Sequence, residues 1–187
     1  MCTGKCARFI AWSLYPLSII SITCNIILLF PDWKVKYALD HQLTPEVMLM
    51  GGLCGGGLAV LAPALFIHLT GRKGCCANRC GMFLSIGFSA IGVAGAIYCF
   101  VVAIFGLVNG PHCRYSMFSI WGRPFQGSSE GYLTDQSQWS TCTEPKNVVA
   151  FHVGLFCTLL LVSSLEMALC LCQMINGLVG CICGAKT

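Results

Sequence analysis

Four long apolar runs, separated by polar stretches, organise the chain. They cover residues 9–30, 46–70, 82–108 and 148–176. Each is long enough for an α-helix to cross the hydrocarbon of a bilayer, which takes about 20 residues. The pattern predicts an all-α membrane protein, a bundle of four transmembrane helices forming one domain over 1–187, with loops at 31–45, 71–81 and 109–147. The first run follows Lys5 and Arg8, as a signal peptide would. It is too long for one and ends in F-P-D-W without a small-residue cleavage site, so it is read as an uncleaved helix. Thr44 is placed to cap the second helix, with Pro45 in its first turn and Glu46 near the positive end of its dipole. Asn109-Gly110-Pro111 suits the end of the third helix. Pro16 and Pro63 fall inside spans, where they kink a helix rather than break it.

Composition strengthens this reading. Of the 187 residues, 56% are hydrophobic and 10% charged, against about 25% charged in a soluble domain. Lipid is therefore the main solvent. Charge placement then sets the orientation. Lys5 and Arg8, Arg72, Lys73 and Arg79, and Lys186 occupy three segments that contain no acid. The other two loops mix Asp32, Asp40, Glu46, Glu130, Asp135 and Glu144 with Lys34, Lys36, Arg114, Arg123 and Lys146. The positive-inside bias puts both termini and the loop 71–81 in the cytosol, and the loops 31–45 and 109–147 outside.

That orientation sorts the 15 cysteines. Only Cys113 and Cys142 lie on the oxidising side and outside the spans, so they are expected to form one disulfide. Closing that loop would stabilise the fold by roughly 3–4 kcal/mol in the chain-entropy account. Cys2, Cys6, Cys75, Cys76, Cys80, Cys181 and Cys183 sit near cytosolic helix ends, often beside basic residues. Thiols there are kept reduced, and juxtamembrane cysteines are the usual acceptors of thioester acylation. A metal site is the weaker reading, because C-C-x-x-x-C is a poor zinc spacing and no fourth ligand is fixed.

Residues 50–64, M-G-G-L-C-G-G-G-L-A-V-L-A-P-A, place five glycines within seven positions. Each would cost a water-exposed helix about 1 kcal/mol relative to alanine. In lipid, helices associate by close packing, which small residues permit. Gly51, Gly55 and Ala59, with Gly52 and Gly56 one position along, form a small-residue face on the second helix. Gly92, Ala96, Ala103 and Gly106 form another on the third. Packing within the bundle is favoured over binding of a sterol or another protein.

Two intramembrane polar residues stand out. Asn25 falls in the outer third of the first helix, and Glu166 towards the inner part of the fourth. An acid inside a membrane is a functional candidate by default. Glu166 is expected to be protonated and bonded to Ser85, Ser89 or His68. No further ionisable groups line the bilayer, so structural hydrogen bonding is favoured over transport.

The loop 109–147 is rich in aromatics: Tyr115, Phe118, Trp121, Phe125, Tyr132 and Trp139. These serve either the folding of a small cap or the recognition of a partner; composition weighs the two equally. No N-x-S/T acceptor occurs, and no catalytic, phosphate-binding or nucleic-acid-binding arrangement is recognisable.

The full set of motifs resembles the transmembrane-four L-six family. The opening M-C-T-G-K-C-A-R, N-I-I-L-L-F-P, M-G-G-x-x-G-G-G-L and G-C-C-A-N-R-C carry the resemblance. So do G-A-I-Y-C, N-G-P-H-C, W-G-R-P-F, Y-L-T-D-x-x-x-W-x-x-C-x-E-P and I-N-G-L-V-G-C-I-C-G. A claudin would carry a cysteine pair in the first outer loop, and a tetraspanin C-C-G with further cysteines in the large one. The chain departs from the family at 152–156, where N-V-[ST]-L-F is replaced by H-V-G-L-F. The resemblance implies a non-enzymatic plasma-membrane adaptor without cofactors, with endosomal or lysosomal membranes as further locations. Its implied partners are membrane lipids and, laterally, integrins, tetraspanins and receptors, with a homo-oligomer left open. It also implies palmitoylation at Cys2, Cys6, Cys75, Cys76 and Cys80. The alternative is a small-molecule sensor or transporter using a cavity near Glu166.

Overall fold

The computed structural model describes residues 2–39, 42–70, 79–115, 120–127 and 131–182. Four helical spans are long and apolar enough to cross a membrane. The first is α1 (Cys2–Leu28), continuous through Pro16. The short α2 (Lys36–Leu39) and α3 (Pro45–Met48) follow, and α3 opens the second span. α4 (Val60–Thr70) completes that span through Pro63. α5 (Arg79–Asn109) and α6 (Val148–Ile182) are the third and fourth. The helices overrun the apolar runs: α6 continues six residues past Asn176, which brings Cys181 into its last turn.

The second span is not one regular helix. Met50 adopts a left-handed conformation (φ 50°, ψ 39°), and Gly51–Ala59 is wound as a π-helix. Missing side chains explain why this segment can widen: a turn that closes i to i+5 is rare and is tolerated where nothing crowds it. Its early amides are orphaned in the manner of any helix start. One of them finds a side chain, as the Leu53 N–H donates to Asn25 Oδ1 at 3.1 Å.

The glycines consequently face two ways rather than forming one flat stripe. A Cβ on Gly55 would meet Gly95 O of α5 at 2.5 Å, and one on Gly51 would meet Val102 Cβ at 2.9 Å. On the other side, a Cβ on Gly52 would meet Ser21 O of α1 at 2.6 Å. One on Gly56 would meet Ser21 Oγ at 2.7 Å and Glu166 Oε2 of α6 at 3.0 Å. The π-helical segment is thus wedged between α5 and the α1–α6 pair. Gly92 abuts Cys170 and Pro63, and Ala96 is fully enclosed.

Two apolar clusters fill the bundle. One, remote from the loop 109–147, centres on Ile10, Leu14, Val60 and Ile67. The other, near that loop, centres on Leu28, Val102, Phe156 and Leu159. Between α5 and α6 lies a three-stranded antiparallel sheet, β1 (Cys113–Tyr115), β2 (Ile120–Gly122) and β3 (Cys142–Glu144), in the order β2-β1-β3. In β1–β2, Arg114 pairs with Trp121. In β1–β3, Arg114 pairs with Glu144, and an irregularity follows at Tyr115. Sheet and disulfide together make a small cap over one end of the bundle.

Candidate functional site

The cap is built at the junction between water and the expected membrane surface. α5 ends at Asn109, and Gly110 takes a positive φ (70°) that lets its N–H return to Gly106 O at 3.1 Å, turning the chain out of the helix. Three residues later Cys113 bonds Cys142, with Cα atoms 5.6 Å apart. This crosslink ties β1 to β3, and Arg114 adds an exposed ion pair to Glu144 at 3.1 Å across the same strands.

A small core lies beneath the sheet, formed by Cys113, Phe125, Tyr132, Val148 and Val149. The rings of Phe125 and Tyr132 stack with centroids 4.5 Å apart. The Tyr132 hydroxyl donates to Leu107 O in the last turns of α5, and burial pushes it up to about 12 from 10.0. Trp139 Nε1 donates to Tyr132 O at 2.8 Å. Asp135 caps the 3-10 turn Gln136–Thr141 by accepting from the Ser137 amide (3.0 Å) and hydroxyl (2.6 Å). Those two donors hold the Asp135 carboxyl below its ordinary range. The Y-L-T-D-x-x-x-W motif is therefore a folding device: tyrosine anchors to α5, aspartate caps a turn, and tryptophan locks onto the tyrosine backbone.

The loop 31–45 joins the same body. Trp121 contacts the rings of Tyr37 and His112, at 6.0 and 5.9 Å, and His112 Nδ1 donates to Gln42 O at 3.0 Å. The strongest tie is electrostatic. Arg123 forks onto Glu46, Nη1 to Oε1 at 3.1 Å and Nη2 to Oε2 at 2.9 Å, while Asn109 Nδ2 donates to Oε1 at 2.7 Å. The two side chains are only 14% and 8% exposed. One carboxylate thus gathers the large loop, the end of α5 and the start of the second span. Next to this knot, His152 Nε2 donates to Gly106 O at 2.9 Å, which gives the departure at 152–156 a structural role.

This geometry corrects the local reading of the second span. The Thr44 hydroxyl is buried without a partner among the described residues and does not cap the helix. Glu46 serves the cap through Arg123 and Asn109. Sequence alone hides this role, because an acid in a first helical turn already has a local explanation. The arginine of W-G-R-P-F was the available signal.

The aromatic candidates divide. Phe125 and Tyr132 are buried, Tyr115, Trp121 and Trp139 are half-buried, and Phe118 lies outside the described residues. Large apolar side chains at the cap surface come from elsewhere: Trp33 is 78% exposed, Leu39 74% and Ile120 54%.

Inside the bundle, Glu166 is fully buried. Ser21 Oγ of α1 donates to Glu166 Oε1 at 3.3 Å. Ser89 Oγ and His68 Nδ1 have no partner among the described residues. The physical reason is the glycine segment. Without side chains on Gly52 and Gly56, α1 approaches α6 closely enough for Ser21 to reach the carboxyl. Asn25, one turn along the same face, serves the π-helix.

Of the cysteines read as acylation candidates, Cys75, Cys76 and Cys183 lie outside the described residues. Cys2 and Cys80 sit in the first turns of α1 and α5. Cys6 is exposed and Cys181 half-buried. No cluster of metal-ligating side chains occurs among the described residues.

A family model for the L6 membrane protein matches residues 1–187. Aligned over 98% of its length, the chain is 45% identical to transmembrane 4 L6 family member 5 of Bos taurus, covering 95% of that protein. On the same share it is 44% identical to family member 1 of Homo sapiens, also covering 95%. It is 41% identical to family member 4 of Homo sapiens, covering 93%. No solved structure matches it. With four membrane-length helices and motifs matched from end to end, the chain belongs to the transmembrane 4 L6 family of multi-pass membrane proteins.

Proposed function

We propose that the protein is a non-enzymatic lateral scaffold of the plasma membrane. Its termini face the cytosol, its cap faces outward, and its cytosol-facing cysteines carry thioester-linked acyl chains. It assembles with integrins, tetraspanins or receptors and so adjusts adhesion, migration and growth signalling. The mechanism is co-assembly, with no chemical step.

The observation that carries this reading is the construction of the cap. A disulfide and a buried Arg123–Glu46 pair fix it to the helices, so it presents one shape to a neighbour at little ordering cost. Trp33, Leu39 and Ile120 project from it as the kind of apolar anchors that recognition uses. The alternative, a sensor or transporter built on a cavity at Glu166, has less support: the carboxyl is fully enclosed, with Ser21 bonded to it and Gly56 packed close against it.

Mild-detergent co-purification from cells tests the scaffold. Wild type should retain membrane partners that Cys113→Ser loses, with equal amounts of both variants at the surface. Equal recovery by both would remove the cap from the role of selector.

A further inference from the structure

A cleft of about 370 Å³ opens where the loop 31–45 meets the sheet of the cap. That volume lies at the lower end of small-molecule sites, about 300–1,000 Å³. Its lining carries charges of both signs: Asp32 and Lys34 from the loop, Arg114 and Glu144 from the sheet, and Lys146 from the chain entering α6. Cations therefore outnumber anions by one.

Pairing inside the cleft is loose. Lys34 Nζ lies 2.6 Å from Asp32 Oδ2, and Arg114 Nη1 lies 3.1 Å from Glu144 Oε2, yet all four side chains remain between 31% and 60% exposed. The hydrogen bond and charge of Asp32 hold the Lys34 ammonium above its ordinary range, and Glu144 adds to this from the sheet. Exposed ion pairs contribute little to stability, so a ligand can exchange partners with them. Lys146 is exposed and has no ion-pair partner among the described residues.

Backbone strain gathers at the same place. Among the described residues, the non-glycine positions with positive φ are Asp32, Trp33, Asn147 and Met50. Asp32 lines the cleft, Trp33 stands between Asp32 and Lys34, and Asn147 follows Lys146. A bulky residue such as tryptophan rarely takes this conformation. Such strain persists where the surroundings over-determine it, and it clusters at ligand clamps.

The level of the cleft narrows the ligand. α1 ends at Leu28, shortly before Asp32, and α6 begins at Val148, just after Lys146. The charged residues thus stand immediately beyond the ends of membrane-length helices, at the height of lipid headgroups. Trp33 projects beside them into the surroundings, and indole rings are favoured at that level.

We propose that this cleft binds the headgroup of a zwitterionic phospholipid from the leaflet on the cap side. Lys146 and Arg114 meet its phosphodiester, a strong acceptor for both cations. Asp32 and Glu144 meet its ammonium group and disfavour a headgroup with further negative charge. The site does not rest on which proteins the scaffold gathers. A lipid held here sits beside Trp33, on the surface that a lateral neighbour meets.

Titration of the purified full chain in non-ionic detergent with dioctanoylphosphatidylcholine tests this, with bound lipid counted by native mass spectrometry. Wild type should take up a single equivalent and gain in thermal midpoint. Lys146→Ala should leave the lipid-free midpoint unchanged and weaken binding by about tenfold. Lys36→Ala, which removes an exposed lysine outside the cleft, should bind as wild type does. Dioctanoylglycerol, which lacks the headgroup, and glycerophosphocholine, which lacks the tails, should each bind more weakly by about tenfold or more. Equal binding by the two lysine variants would overturn the proposal, as would equal binding of dioctanoylglycerol and the phospholipid. Glycerophosphocholine bound as tightly as the lipid would overturn the assignment to a membrane lipid.

Discussion

Arg123 closes on Glu46 with both nitrogens of its fork, across 77 positions of the chain. The pair is buried where the cap meets the helices, so its attraction is little screened, and its loss leaves a charge in a poor solvent. Removing one partner of such a pair costs about 3–5 kcal/mol, whereas replacing both with apolar side chains of similar size is often close to neutral. Glu46→Gln and Arg123→Met should each lower the thermal midpoint of the purified protein in nanodiscs and speed reduction of Cys113–Cys142. The double variant should recover much of the loss. Additive losses in the double variant would show that the two residues act separately.

How far such ties are legible in sequence depends on their physics. The four spans follow from the solvent, because lipid demands about 20 apolar residues whatever the fold. The Cys113–Cys142 bond follows from compartment and from there being one possible partner each. The Glu46–Arg123 pair follows from neither. Each residue has an ordinary local reading, and only the folded cap brings them together. The same holds for Phe125 and Tyr132, which composition leaves poised between core and recognition until their stacking buries them. The π-helix was illegible for another reason: glycines spaced four apart suit an α-helix equally well, and Met50 carries no hint of a left-handed backbone. The missing side chains of Gly52 and Gly56 in that segment also let Ser21 of α1 reach Glu166.

Tyr132 supplies a pH prediction. Its hydroxyl is raised from 10.0 to about 12 by burial, so folding favours the neutral form. The stability this contributes is complete below pH 10 and is lost as pH climbs towards 12. Phenolate absorbance of wild type minus Tyr132→Phe should stay flat through pH 10 and rise only near the upper value. At neutral pH the variant leaves Leu107 O without its donor, a loss of about 1–3 kcal/mol. A difference spectrum that rises at the ordinary tyrosine value would show the hydroxyl to be open to water.

Glu166 and Ser21 give an asymmetric pair of substitutions. The serine hydroxyl donates to Oε1, and an amide oxygen accepts the same bond. Glu166→Gln should therefore hold stability within about 0.5 kcal/mol, whereas Ser21→Ala should cost about 1 kcal/mol or more by stripping a buried acceptor. Unfolding in mixed detergent micelles reads both. A larger loss for Glu166→Gln than for Ser21→Ala would mean that the charge, rather than the hydrogen bond, holds the helices there.

The glycines separate close packing from mere smallness. A Cβ at position 55 would stand 2.5 Å from Gly95 O, and one at position 52 would stand 2.6 Å from Ser21 O. Both obstacles are backbone, so α5 or α1 would have to move. At Gly87 and Gly154 the same Cβ would meet nothing within 4 Å. Gly55→Ala and Gly52→Ala should each destabilise the bundle by about 1–3 kcal/mol, the usual range for overpacking. Gly87→Ala and Gly154→Ala should fall within about 0.5 kcal/mol of wild type. All four substitutions add one methyl group to a helical segment, but only at positions 52 and 55 does a neighbouring backbone stand in its way. Equal effects at all four sites would mean that these helices do not meet at the glycines.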